Sequence, residues 1–351
     1  MATRVKLRSK MVVSLLIILS FALTAFAEEC ESKSDGGGRG CHDKAKSLKL
    51  KLIAIASILI TSMIGVCLPL FSRAVPALMP DRDLFAIVKA FASGVILATG
   101  YMHVLPDSFD CLRSECLPEN PWRKFPFTTF VAMLSALFTL MVDSFAMSYY
   151  KKWGIDNGAT GGGHHHHIKG AEELGNLAVE DNTDGKANSE VLLRHRVVAQ
   201  VLELGIVVHS VVIGLSMGAS DNPCTIRPLI AALCFHQLFE GMGLGGCILQ
   251  AEYGMKIKAM MVFFFSATTP LGIALGIGLS NVYSDNSPTA LIVVGLLNAS
   301  SAGLLNYMAL VDLLAADFMG PKLQQNLKLQ ILAYVSVLLG AGGMSLMAKW
   351  A

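Results

Sequence analysis

Eight long apolar runs divide most of the chain, near residues 50–71, 84–105, 127–149, 197–219, 228–250, 258–280, 290–312 and 328–348. Each is about 20 residues or more, enough for a helix to cross a hydrocarbon layer of roughly 30 Å. An earlier run, Met11–Phe26, is shorter, follows Arg4, Lys6, Arg8 and Lys10, and ends in Ala25-Phe26-Ala27. That pattern predicts a signal peptide over residues 1–27, with an uncleaved first span as the alternative. The expectation is an all-α membrane protein, a bundle of eight transmembrane helices behind a cleaved N-terminal signal peptide. Residues 28–49 form an extracytoplasmic segment, 50–149 carry helices 1 to 3, and 197–351 carry helices 4 to 8. Between them, 150–196 make a long cytoplasmic loop rich in Gly, Asn, Asp and Glu, whose composition predicts no packed structure.

Polar positions between the runs orient the bundle. Arg73, Arg82, Lys151, Lys152, Arg194, Arg196, Lys256, Lys258, Lys322 and Lys328 fall in or beside the connections assigned to the cytoplasm. The opposite connections hold Arg113, Arg123, Lys124 and Arg227, and the bias agrees with the positive-inside rule. Composition adds little: 53% hydrophobic residues, 15% charged and a mean hydropathy of +0.55 mark a membrane protein. A net charge of +2 without a basic face gives no reason to expect nucleic acid as a partner. Eight cysteines in so long a chain do not make a disulfide scaffold. Cys67, Cys234 and Cys247 lie in apolar runs and read as packing residues, whereas Cys30, Cys41, Cys111, Cys116 and Cys224 face an oxidising compartment, their pairing open.

An ionisable side chain at the centre of a bilayer helix costs about 2.5–3.5 kcal/mol, so each instance in a run needs a reason. Val201–Gly246 concentrates them: Glu203 and His209 before a short polar break around Asp221–Pro228, His236 and Glu240 after it. His236 and Glu240 are four apart, share one helix face and together suit zinc, iron(II), manganese or cobalt. The alternative is a buried pair that only locks packing. His209 read alone fits a packing role as well as a ligand role; with His236 and Glu240 it gives three protein ligands, Ser210 and Gln237 or water completing the shell. Glu203, roughly on the Ser210 face, is either a stop on the ion's path or a carboxylate near the headgroups. In GYMHVLPDSF, His103 and Asp107 are again four apart, and Pro106 predicts an end or kink of the helix between them. The pair reads as a point of ion admission or as an interfacial cap. Asp143 and Asp312 lie near helix ends, within reach of solvent. Gly214/Gly218, Gly241/Gly245 and Gly272/Gly276 have the spacing of close helix packing, and Pro270 predicts a kink in the sixth span. His164, His165, His166 and His167 in the long loop are a weak tethered metal binder or a tolerated polar tract.

The chain resembles the ZIP family of zinc-regulated and iron-regulated transporter-like proteins, and most of all its plant iron-regulated branch. The residues that carry the resemblance are His209-Ser210-Val211-Val212-Ile213-Gly214, His236-Gln237-Leu238-Phe239-Glu240-Gly241, ATGYMHVLPDSF at 98–109 and LLNASSAGLLNYMALVDLLAADF at 296–318. The resemblance implies that His209, Ser210, His236, Gln237 and Glu240 line a metal site on helices 4 and 5. It also implies import of iron(II) or zinc as substrate, with no prosthetic group and no enzymatic activity. Some branches carry a Glu four residues after the first His, where this chain has Ile213, which favours one main site over two. The expected location is the plasma membrane, with a vacuolar or vesicle membrane as the alternative.

Inward movement of a divalent ion gains roughly 4.6 kcal/mol per 100 mV of inside-negative potential. No GxxxxGK[ST] loop suggests ATP hydrolysis, and no HExxH supports an intramembrane protease. An exporter or a sensor on the same scaffold remains the alternative, and the sequence does not give an oligomeric state.

Overall fold

The computed structural model describes residues 44–71, 82–159, 174–279 and 287–348, with side chains at all of these except 150–190. The expected signal peptide, Cys30, Cys41 and His164–His167 lie outside the described residues. Among the described residues there is no strand, and 8 helices are long and apolar enough to cross a membrane. They are α1 Lys44–Leu70, α2 Asp83–Leu112, α3 Phe127–Tyr149, α4 Val191–Ala219, α5 Pro223–Gln250, α6 Met255–Leu279, α7 Pro288–Phe318 and α8 Leu327–Ala348. The face that carries Arg194, Arg196, Lys256 and Lys258 is called inner below, and the opposite face outer. On the inner side the helices of α3 and α4 continue, as Phe127–Ala159 and Leu174–Ala219. The connection expected to lack regular structure is therefore helical at both ends. Hydropathy sets where a helix can lie in lipid, but a polar helix continuing from a stable span needs no new nucleus.

Side chains and caps explain the turns. Asn222 caps α5, its Oδ1 accepting from the Cys224 N–H at 2.9 Å, with Pro223 at the first helical position. Ser287 and Pro288 start α7 in the same way. Because α4 ends at Ala219 and α5 begins at Pro223, the two helices return antiparallel through a very short turn. Cys116 and Cys224, both at the outer face, are each disulfide-bonded.

The helices sort into two groups by their closest packing. In the first, α1 packs on α5 and α6, and α4 on α6; in the second, α2 packs on α8 and α7, and α3 on α7. Small residues make these approaches. A Cβ added to Gly276 of α6 would lie 2.7 Å from the Cα of Gly218 on α4, and one on Gly214 would lie 2.9 Å from the Cα of Gly272. Hydroxyls stitch the second group: Ser108 Oγ donates to the Gly295 carbonyl at 2.7 Å, and Ser135 Oγ to that of Ser300 at 2.7 Å. Apolar clusters fill the interior. One holds Val66, Ile96, Leu202, Ile206, Leu244 and Leu305 from both groups; another holds Ile58, Ile213, Met217, Leu233 and Ile273 within the first. Phe130, Leu137, Phe138 and Phe145 of α3 are exposed, as lipid-facing residues are.

The α4–α6 approach gives a testable outcome. Gly276→Leu forces the two backbones apart, an overpacking cost of roughly 1–3 kcal/mol, and is expected to lower the thermal unfolding midpoint in detergent by several degrees. Gly278→Leu is the control, because a Cβ there meets nothing within 4 Å. Equal midpoints for the two variants would contradict the packing.

Candidate metal centre

Three helices from the two groups bring imidazoles together. His103 is on α2, His209 on α4 and His236 on α5, and they are 5%, 1% and 1% exposed. Ring centroids are 5.9 Å apart for His103 and His209, 6.2 Å for His103 and His236, and 5.8 Å for His209 and His236. All three lie about ten residues or a little more from the outer helix ends, some 15–20 Å deep at the helical rise. Along α4, Ile206 of the larger apolar cluster and Ile213 of the smaller one flank His209, so apolar packing lies both inward and outward of the imidazoles.

Local backbone places His103. Over Gly100–Val104 the helix widens into a π turn, and Pro106 sits at the start of the α-helical segment that follows. The widening accommodates a proline that lacks an amide hydrogen, so of the end or kink that Pro106 predicts the helix shows no end: it continues to Leu112 with a local π distortion. His103 accordingly lies in the interior, not at the outer rim. Its partner Asp107 is half exposed, with Oδ2 3.8 Å from His103 Nδ1, and extends the chain of ligand types outward. A second π stretch, Met308–Ala315, lies on α7, and Asn306 just before it faces Gly100. Such stretches frequently occur at functional sites.

The short α4–α5 turn and the helical repeat place the rest. Ser210, Gln237 and Glu240 are 2%, 1% and 0% exposed. Polar atoms are left without a hydrogen-bond partner among the described residues at His103 Nε2, both His209 nitrogens, His236 Nδ1, Gln237 Nε2 and both Glu240 oxygens. Buried polar atoms normally find partners, so these atoms are candidates for holding something polar. Three imidazoles and a carboxylate are the donor set of zinc, iron(II) or manganese. Among the described residues no three His, Cys, Asp or Glu stand in chelating geometry in this conformation. Three imidazoles on one ion at about 2.0–2.1 Å would put their centroids roughly 5 Å apart, so each pair needs to close by about 1 Å.

The remaining candidates separate from this cluster. Glu203 is partly buried on α4, nearer the inner face. Ile213 is 7% exposed within an apolar cluster and adds no charge beside His209. Asp312 is 5% exposed and so not solvated as expected, while Tyr307 Oη donates to Asp143 Oδ2 at 3.5 Å. Pro270 lies buried within an unbroken α6. The sequence reading missed Ser266 and Thr269 of α6, buried with hydroxyl oxygens that have no partner among the described residues. It also missed Lys89 and Lys51, buried lysines inside or beside apolar runs. The rule that flagged Glu203 applies equally to Lys89.

The chain is similar in sequence to known metal transporters. The chain is 62% identical over 329 residues to "Fe(2+) transport protein 2" of Oryza sativa subsp. japonica, covering 90% of this chain and 89% of that one. It is 59% identical over 355 residues to "Fe(2+) transport protein 1" of Arabidopsis thaliana, covering all of both. To "Zinc transporter 7" of Arabidopsis thaliana it is 57% identical over 351 residues, 96% of each chain. The family model described as "ZIP Zinc transporter" matches residues 48–348, nearly the whole of the described bundle, and the chain belongs to the ZIP family of metal transporters.

Proposed function

We propose that the protein imports iron(II) and zinc into the cytoplasm across the plasma membrane, as a secondary transporter. His103, His209, His236 and Glu240 bind the ion in transit, with Ser210 and Gln237 beside them. The observation that carries this reading is the meeting of three buried imidazoles from α2, α4 and α5 beside a carboxylate whose oxygens have no partner among the described residues. The names of the similar iron(II) and zinc transporters support the choice of metals. The basic inner face supports the orientation.

The ligands are divided between the two helix groups. His209, His236 and Glu240 belong to the first and His103 to the second, so relative motion of the groups changes the number of ligands on the ion. An ion held by four groups binds; one that has lost His103 is weakened and leaves. Transport needs this balance between binding and release. Movement of one group against the other then exposes the ion to alternate faces, driven inward by the membrane potential at roughly 4.6 kcal/mol per 100 mV for a divalent ion.

Uptake of radiolabelled zinc and iron into proteoliposomes of known orientation tests the proposal. Accumulation on the inner-face side, increased by a negative potential there, is the expected result. Accumulation only in the opposite direction would overturn import.

A further inference from the structure

Lys89 has no part in the metal centre. It lies on α2 near the inner face, and its side chain is 7% exposed. Its ammonium donates to Asp317 Oδ1 of α7 at 2.9 Å and to Gln250 Oε1, the last residue of α5, at 3.1 Å. His195 of α4 lies close to the Gln250 backbone and within electrostatic reach of Lys89. Four inner helix ends, α2, α4, α5 and α7, thus meet at one buried cation.

The two bonds differ in kind. Lys89 and Asp317 both belong to the second helix group, so their ion pair stays intact if the groups move as units. Gln250 belongs to the first group, and its bond to Lys89 crosses the boundary. Breaking it costs one neutral acceptor and leaves the ammonium paired, whereas breaking the ion pair would leave a charge buried alone. A cavity of about 10 Å³ opens between α1, α2 and α5, lined by Leu68, Phe85, Val88, Lys89, Met242 and Gly246, which is close to the space of a single water.

We propose that Lys89 is a positioning residue of the transport cycle, a latch that holds the inner end of metal-bearing α5 against α7 and releases Gln250 when the path from the metal centre opens to the inner side. Asp317 anchors the latch in both states. The proposal rests on the transport reading above, which it extends to the inner end of the path.

Cys247 supplies a native reporter. It lies one helical turn before Gln250, is 3% exposed, and is within electrostatic reach of Lys89, Asp317 and Asp312. In inside-out membrane vesicles, with Cys67→Ala and Cys234→Ala removing two other membrane cysteines, the rate at which a membrane-impermeant maleimide labels Cys247 measures opening at the inner face. Gln250→Ala removes the crossing bond and is expected to speed labelling about tenfold, the population shift that one charge-assisted bond commands. It should also raise KM for external zinc more than it lowers Vmax, because fewer molecules await the ion with the outer path open. The charge-free pair Lys89→Met with Asp317→Leu guards against a buried orphan carboxylate and should speed labelling likewise. Labelling within twofold of the parent in both variants, at unchanged thermal midpoints, would overturn the latch. Zinc uptake by the parent is scored separately: absent uptake defeats the transport reading, whereas normal uptake with unchanged labelling defeats only the latch.

Discussion

Glu240→Gln is expected to abolish measurable zinc and iron uptake, with Vmax/KM falling at least ~100-fold, while the protein still reaches the membrane and melts no earlier than the parent. The size follows from the residue's surroundings. Glu240 is fully buried, and neither oxygen has a partner among the described residues. With Ile213 packed among aliphatic residues, no carboxylate follows His209 at that position, and Glu240 lies one helical turn beyond His236 on the same face of α5. Even partners one shell further from a metal cost 10–100-fold when removed, and a direct ligand costs more. The stability half of the prediction points the other way. A carboxylate buried without partners destabilises the metal-free fold, so its neutral isostere is expected to leave the midpoint unchanged or raise it. Uptake in proteoliposomes and thermal unfolding in detergent measure the two halves. A variant that melts several degrees lower and transports normally would show that Glu240 serves packing.

His103→Ala is expected to cut Vmax/KM as deeply as His236→Ala, each at least ~30-fold, and the double variant to fall little further than either single one. Groups that hold the same ion fail together, so their losses do not multiply. A histidine acting alone at the outer rim would behave differently, because two stations in series contribute separate factors. The double-mutant cycle therefore decides whether His103 joins the centre or precedes it. The centroid distances of 5.9 and 6.2 Å from His103 to the other two rings favour the first outcome.

How much of this could be read from the chain follows from which forces are local. A span must be about 20 apolar residues long whatever it packs against, so the eight runs and the eight helices coincide closely. Their ends are less legible. The run near 84–105 becomes a helix from Asp83 to Leu112 because a π turn absorbs Pro106, and that turn forms where Gly100 meets Asn306, about two hundred positions away. The pairing of His236 with Glu240 is helical arithmetic, and the short Ala219–Pro223 turn brings α4 alongside. Nothing local says that α2 crosses beside them, so His103 looked like a residue of the rim. Lys89 is illegible in the sequence for a different reason. A lysine six residues into a span resembles one that reaches the headgroups, and only the packed structure shows Asp317 and Gln250 closing over it.

X-ray absorption at the zinc edge, on protein loaded with one equivalent of zinc and carrying alanine at His164–His167, tests the shared centre most directly. Three imidazole nitrogens and a carboxylate oxygen at about 2.0–2.1 Å are expected around the zinc. The His103→Ala variant should show two imidazoles. An imidazole count unchanged by His103→Ala would contradict the shared centre.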